Sequence, residues 1–149
     1  MKLRVYLDTS VFSALVDEAV PVRQRETQDF FDKLDAFDPS TSTLGRDELA
    51  QTVDHDLRER LMTLVARVDV IEMTEEMSEL AEHYLRSGVF GPAMRNDALH
   101  VAAAVLTRQD VLLSWNFRHL VNRRRRALVN EVNTLLGLPP IEIVAPPEL

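Results

Sequence analysis

The chain has 149 residues, no cysteine and a net charge of −7. Disulfides, thiolate metal sites and cysteine nucleophiles are thereby excluded, and the acidic balance argues against a general nucleic-acid binder. With 46% hydrophobic and 28% charged residues, the composition is that of a folded protein, expected as one domain over residues 1–149. Met1 leads directly into an apolar segment, so no signal peptide is expected. No apolar stretch approaches membrane-spanning length, and a soluble cytoplasmic protein is the expectation.

In chain order, Val5 to Leu7 reads as a first strand and Val11 to Val16 as the start of a short helix. Pro21 suits the first turn of the next helix, after which Phe30, Phe31, Leu34 and Phe37 recur at helical spacing. Pro39 to Leu44 reads as a turn with a small β-prone segment. From Arg46 a long helix is signalled by Leu49, Val53, Leu57, Leu61, Leu64 and Val68. Val68 to Ile71 makes a third strand. Thr74 caps a helix carrying Met77, Leu80, Ala81, Tyr84 and Leu85. After the loop Ser87 to Pro92 come an apolar helix opened by Asp97, a buried strand from Val111 to Trp115, and a helix from Ala127 to Leu136 closed by Gly137 and Pro139. Ile141 to Val144 is expected as an edge strand. Strands alternating with helices imply three α/β/α layers around a central, mostly parallel sheet.

Two acids stand out. Asp8 sits where the first strand stops, and Asp97 lies in the first turn of a helix that is apolar on nearly every face. Each has a bland reading, Asp8 as an N-cap and Asp97 as a complement to the helix dipole. Strand ends and adjoining helix starts, however, meet in the crevice where α/β proteins bind ligands. Glu48, at the rim of the apolar face of its helix, would add a third carboxylate, with Asp47 as a competitor for that role. Three carboxylates in one cleft repel each other unless a cation is present, and Mg²⁺ and Mn²⁺ favour such oxygen donors. His55, His83, His100 and His119 match no common zinc spacing.

Asp8-Thr9-Ser10, Asp47-Glu48-Leu49, Asn96-Asp97-Ala98-Leu99-His100 and Ser114-Trp115-Asn116-Phe117 occur in the order and spacing of PIN domains. Over essentially its whole length the chain resembles a VapC-type toxin ribonuclease or close relative. The resemblance implies an enzyme dependent on Mg²⁺ or Mn²⁺ that hydrolyses RNA phosphodiester bonds and leaves a 5′-phosphate, with Asp8, Glu48 and Asp97 as metal ligands. It implies the toxin of a type II toxin–antitoxin pair, with RNA as substrate and an antitoxin protein as partner; a homodimer is the expected assembly. Many PIN domains carry a fourth acid where this chain has Asn116. An amide can ligate or position a water but adds no charge, which puts a second metal and full activity in doubt.

Thr9, Ser10 and Ser114 are further candidates for binding phosphate or metal-bound water. His100 reads more readily as a structural histidine near the sheet. Residues 1–94 carry 10 basic and 19 acidic side chains, whereas residues 95–126 carry seven arginines against Asp97 and Asp110. Arg118, Arg123, Arg124, Arg125 and Arg126 are therefore the candidates for phosphate contacts; a solvated loop or a surface for an acidic protein is an equal alternative. A catalytically weak or inactive PIN-like module binding RNA or a protein is the second reading of the whole. A phosphatase with an aspartyl nucleophile at Asp8 would want an acid at Ser10 and a late lysine. The only lysines are Lys2 and Lys33, and the same absence counts against a phospho-accepting receiver domain.

Overall fold

A computed structural model describes residues 1–149. Five parallel strands run in the order β3-β2-β1-β4-β5, so the sheet is wholly rather than mostly parallel. The strands are β1 (Leu3–Leu7), β2 (Phe37–Ser42), β3 (Asp69–Ile71), β4 (Val111–Leu113) and β5 (Glu142–Val144). The helices are α1 (Thr9–Val16), α2 (Pro21–Asp32), α3 (Thr43–Ala50), α4 (His55–Val65), α5 (Glu75–Arg86), α6 (Arg95–Leu106) and α7 (Arg123–Leu135). Helices α1 to α4 pack among themselves, as do α5 to α7. Right-handed crossovers in opposite directions from the central strand put these two groups on opposite faces, giving three α/β/α layers. One apolar cluster of 35 buried residues runs through both faces, so the two helical layers share their core with the sheet. No helix is long and apolar enough to cross a membrane.

Strand order reverses between β1 and β4, and this switch point is where open parallel sheets form a crevice beyond their carboxyl ends. The two strands run in register from Val5 opposite Val111 to Leu7 opposite Leu113. The Asp8 N–H continues the ladder to the Leu113 carbonyl at 3.0 Å. Above them lies α6, in which Ala98, Ala102, Ala103 and Ala104 are fully buried. Such small side chains let α6 approach both the sheet and α5 closely, and its all-round apolar character follows from having neighbours on every side.

Three differences from the sequence-based expectations go beyond a residue or two at the end of an element. Phe37 opens β2 instead of ending a helix, and Leu34–Ala36 form a 3₁₀ turn before it. Pro39 argues against a central strand because it lacks an N–H. It is accommodated because β3 begins to pair only at Ser40, leaving Pro39 with no neighbour on that side. The long helix from Arg46 is two helices. Asp54 starts α4 afresh by accepting from the Leu57 N–H at 2.9 Å, and Val53, a member of the apparent apolar stripe, is 95% exposed.

The third difference concerns the arginine run. Helix α7 begins at Arg123, not Ala127, with the Asn122 side chain accepting from the Arg125 N–H. Four arginines at a helix N-terminus oppose the macrodipole; the Asn122 cap and tertiary contacts offset that. Arg125 donates to the Val89 carbonyl and lies 4.8 Å over the Phe90 ring. Arg126 donates to the Ile143 carbonyl at 3.0 Å, tying α7 to β5. Arg123 and Arg124 are exposed and form no salt bridge. Arg125→Ser is therefore expected to cost about 1–2 kcal/mol, one hydrogen bond and one cation–π contact. The double change Arg123→Ser, Arg124→Ser should leave the urea midpoint unchanged, and equilibrium urea unfolding checks both.

Candidate active site

A cleft of about 620 Å³ opens at the switch point, lined among others by Asp8, Glu48, Asp97 and Asn116. All four residues singled out in the sequence thus meet in one place. Asp8 comes from the end of β1, Glu48 from α3, Asp97 from the first turn of α6, and Asn116 from the loop after β4. Thr9 and Ser10 line the same cleft, and Ser114 lies fully buried beneath it. Arg118 and the arginine run do not line it. Arg124 and Arg125 instead border a separate hollow of about 210 Å³ with Gly88 and Val89.

Asp8 occupies the cap position of α1, yet its side chain makes no capping bond. Its Oδ2 instead accepts from Ser10 Oγ at 2.8 Å and Ser114 Oγ at 2.7 Å. Ser10 Oγ accepts in turn from the Trp115 N–H, and Ser114 Oγ from the Asn116 N–H, both at 2.9 Å. These hydroxyls tie the end of β1 to the end of β4 and fix one carboxylate oxygen. Oδ1 has only a long 3.4 Å contact to Thr9 Oγ1 and a 4.0 Å approach to His100 Nε2.

His100 is only 2% exposed and joins sheet to cleft. Its Nε2 lies 2.7 Å from Glu48 Oε1, and its Nδ1 lies 2.6 Å from the Tyr6 hydroxyl, which is 2.7 Å from Ser42 Oγ. Glu48 only accepts, so Nε2 carries a proton; with a neutral ring Nδ1 then accepts from Tyr6, and Tyr6 accepts from Ser42. Burial alone would lower the imidazole pKa. The Glu48 hydrogen bond and the charges of Asp8, Glu48 and Asp97 outweigh it, and the net direction is upward. Burial raises the Tyr6 phenol against the pull of its Ser42 bond, with Asp8 and Glu48 adding to the rise, so Tyr6 stays protonated. The expectation of a histidine bonded near the sheet describes one side of the ring; the other side holds a cleft carboxylate.

Three contributors to this geometry have no signal in the sequence reading. Gly45 lets α3 approach the sheet, because a side-chain carbon there would lie 2.6 Å from Thr41 Oγ1 and 3.6 Å from His100. His119 Nδ1 donates to Asp97 Oδ2 at 2.9 Å. Arg23, on α2, lines the cleft. His100, Asp97 and Trp115, which Gly45, His119 and Arg23 respectively meet, lie far from them in the chain, and no local spacing foretells the contacts.

Asp97 has its pKa raised, first by burial and then by the Asp8 charge, while His119 and His100 pull it down. Asp8 and Asp97 therefore repel one another across the cleft. Asn116 is less free: its Oδ1 accepts from the His119 N–H at 3.0 Å, and its carbonyl accepts from Leu120 and Val121. It shapes the turn that delivers His119 to Asp97. No three acidic or histidine side chains are drawn around one point as a closed ligand set. Glu48 is held by His100, Asp97 by His119, and one oxygen of Asp8 by two serines. The donor chemistry still suits a hard divalent cation, since three carboxylates with no thiolate face one space, and histidine or hydroxyl partners behind such acids are the usual support of a metal ligand.

The chain is 30% identical over 121 residues to ribonuclease VapC47 of Mycobacterium tuberculosis, covering 77% of this chain and 85% of that protein. It belongs to the VapC family of PIN-domain proteins. Solved structures agree on the fold. VapC20 of Mycobacterium tuberculosis, described as a sarcin–ricin loop cleaving toxin, superposes with a TM-score of 0.62 at 16% identity, over 77% of this chain and 92% of its own. VapBC2 of Rickettsia felis, solved bound to a DNA fragment from its promoter, gives 0.59 at 11% identity, over 95% and 97%. No protein-family model matches the chain. Within the VapC family resemblance, the departure at Asn116 coincides with an amide already committed to the His119 turn.

Proposed function

We propose that this VapC-family chain is an endoribonuclease that hydrolyses RNA phosphodiester bonds in the Asp8–Glu48–Asp97 cleft with Mg²⁺ or Mn²⁺ as cofactor. The observation that carries the reading is that carboxylates from the end of β1, from α3 and from α6 face one cleft at the switch point. Asp8, Glu48 and Asp97 are the residues that would hold the metal. When bound, such an ion polarises the phosphate and lowers the pKa of a water. Ser10 and Ser114 orient Asp8, His100 orients Glu48, and His119 orients Asp97. Water adds to phosphorus as the P–O3′ bond breaks, and the leaving 3′-oxygen takes a proton, so the products are a 3′-hydroxyl and a 5′-phosphate.

The experiment is cleavage of a mixed-sequence RNA by the purified chain with Mn²⁺, and with EDTA. Asp8→Asn is expected to lower the rate about a hundredfold or more, given what outer-shell partners alone are worth, and EDTA should do the same. Equal rates in wild type, Asp8→Asn and EDTA would defeat the reading.

The family relationship also supports assignment as the toxin of a toxin–antitoxin pair, with an antitoxin protein as partner and a homodimer as the assembly; light scattering of the purified chain tests the homodimer, and a small protein co-purifying with the tagged chain and blocking its RNA cleavage tests the antitoxin. A second reading, a PIN-like module that binds RNA or protein without cutting, is favoured by one observation, the engagement of Asn116 by His119. RNA bound but left intact in Mn²⁺ would establish it.

A further inference from the structure

Arg23 is the one arginine or lysine lining the cleft, whose other charged walls include Asp8, Asp17, Glu48 and Asp97. It forms no salt bridge with any of them. An arginine in an acidic cleft without a carboxylate partner is held there by something else. Its guanidinium lies over the indole of Trp115, 5.0 Å from the ring centroid. Such stacking fixes the plane of the fork while leaving its N–H donors free.

The seat is itself fixed. Trp115 Nε1–H donates to Thr27 Oγ1 at 2.9 Å, and Thr27 Oγ1–H donates back to the Arg23 carbonyl at 2.7 Å. The Trp115 backbone N–H donates to Ser10 Oγ, which holds Asp8. These hydrogen bonds set the Trp115 ring and the Arg23 backbone relative to the Asp8 carboxylate, and the stacking sets the guanidinium. By contrast Arg118, Arg123 and Arg124 are exposed outside the cleft.

We infer that Arg23, seated on Trp115, is the substrate-binding residue that grips an RNA backbone phosphate inside the cleft and brings the chain of the substrate over the acids. The inference rests on the proposed ribonuclease reading and adds the residue that lets a polyanion enter an acidic cleft. A planar fork with free donors matches a phosphate, and nothing else on the walls offers a permanent positive charge.

The test is binding of a fluorescent single-stranded RNA oligonucleotide over a salt series, read by anisotropy in an Asp8→Asn background that suppresses cutting. Adding Arg23→Gln should weaken binding at least about tenfold, the scale of one charge-assisted hydrogen-bonded contact. It should also flatten the plot of log affinity against log salt by about 0.7 for each phosphate no longer gripped. Arg23→Lys should recover the salt slope and part of the affinity, and both variants should melt like their parent. Unchanged affinity and slope in Arg23→Gln would overturn the inference while leaving wild-type cleavage, and so the ribonuclease reading, intact. Equal loss in Arg23→Lys and Arg23→Gln with lowered melting temperatures would reduce Arg23 to a structural role. Wild type that leaves RNA uncut defeats the underlying reading, and the anisotropy series still decides whether Arg23 holds RNA.

Discussion

Asp97→Asn is expected to cut RNA cleavage by about a hundredfold or more and remove most of the stabilisation by Mn²⁺, while the metal-free protein melts at the same or a higher temperature. Catalytic loss on this scale follows from removing one of the three proposed anionic ligands. The stability half follows from the site itself. Burial and the Asp8 charge both disfavour ionised Asp97, so its negative charge is a cost to the folded protein at neutral pH. Asparagine removes that charge and keeps an oxygen that can accept from His119. Ligand binding stabilises by mass action, so wild type should gain more from Mn²⁺ than the variant does. Differential scanning fluorimetry with and without Mn²⁺ measures both halves. A variant less stable than wild type without metal would make Asp97 a structural acid instead.

His100→Ala should be the most destabilising single change in the site, by about 3 kcal/mol, or roughly 10 °C in melting temperature for a chain of this length. The ring is buried on α6, meets Tyr6 edge-on at 5.8 Å between centroids, and makes hydrogen bonds from both nitrogens. Truncation leaves a cavity and strips the Tyr6 hydroxyl of one partner. It also frees Glu48 from its only hydrogen-bond anchor, so cleavage should fall roughly 10- to 100-fold under conditions where the variant is still folded. Glu48→Gln serves as the contrast. It keeps an acceptor for Nε2, so stability should be nearly unchanged while activity falls. Urea unfolding and cleavage assays on the two variants separate the packing role of His100 from its positioning role. Similar unfolding midpoints for His100→Ala and wild type would contradict the proposed network.

What was legible in the sequence depended on whether the signal was local. Asp8 and Asp97 could be found because a strand that stops and an apolar helix that starts are written in consecutive residues, and parallel-sheet geometry does the rest. Glu48 was ambiguous with Asp47 on spacing alone; in the structure His100 bonds Glu48, whereas Asp47 meets only the exposed Arg46. The arginine run illustrates the opposite case. Its charge is conspicuous, yet Arg125 and Arg126 are used by the Val89 and Ile143 carbonyls, and the run lies outside the cleft. Arg23, one of several charged residues on an amphipathic helix, carries no distinguishing mark until the fold brings Trp115 to it across most of the chain. Pro39 in β2 and the break at Val53 were hidden for a related reason: strand pairing and a side-chain cap decided them against the apparent periodicity.

The proposed chemistry stands on the three carboxylates forming one divalent-metal site, and anomalous diffraction from crystals of the chain soaked in Mn²⁺ would locate the ion. The expected result is a manganese peak in the cleft within bonding distance of carboxylate oxygens of Asp8 and Asp97, with Glu48 contributing directly or through a bound water. No peak there at saturating Mn²⁺, with Glu48 still bonded to His100 and Asp97 to His119, would contradict it.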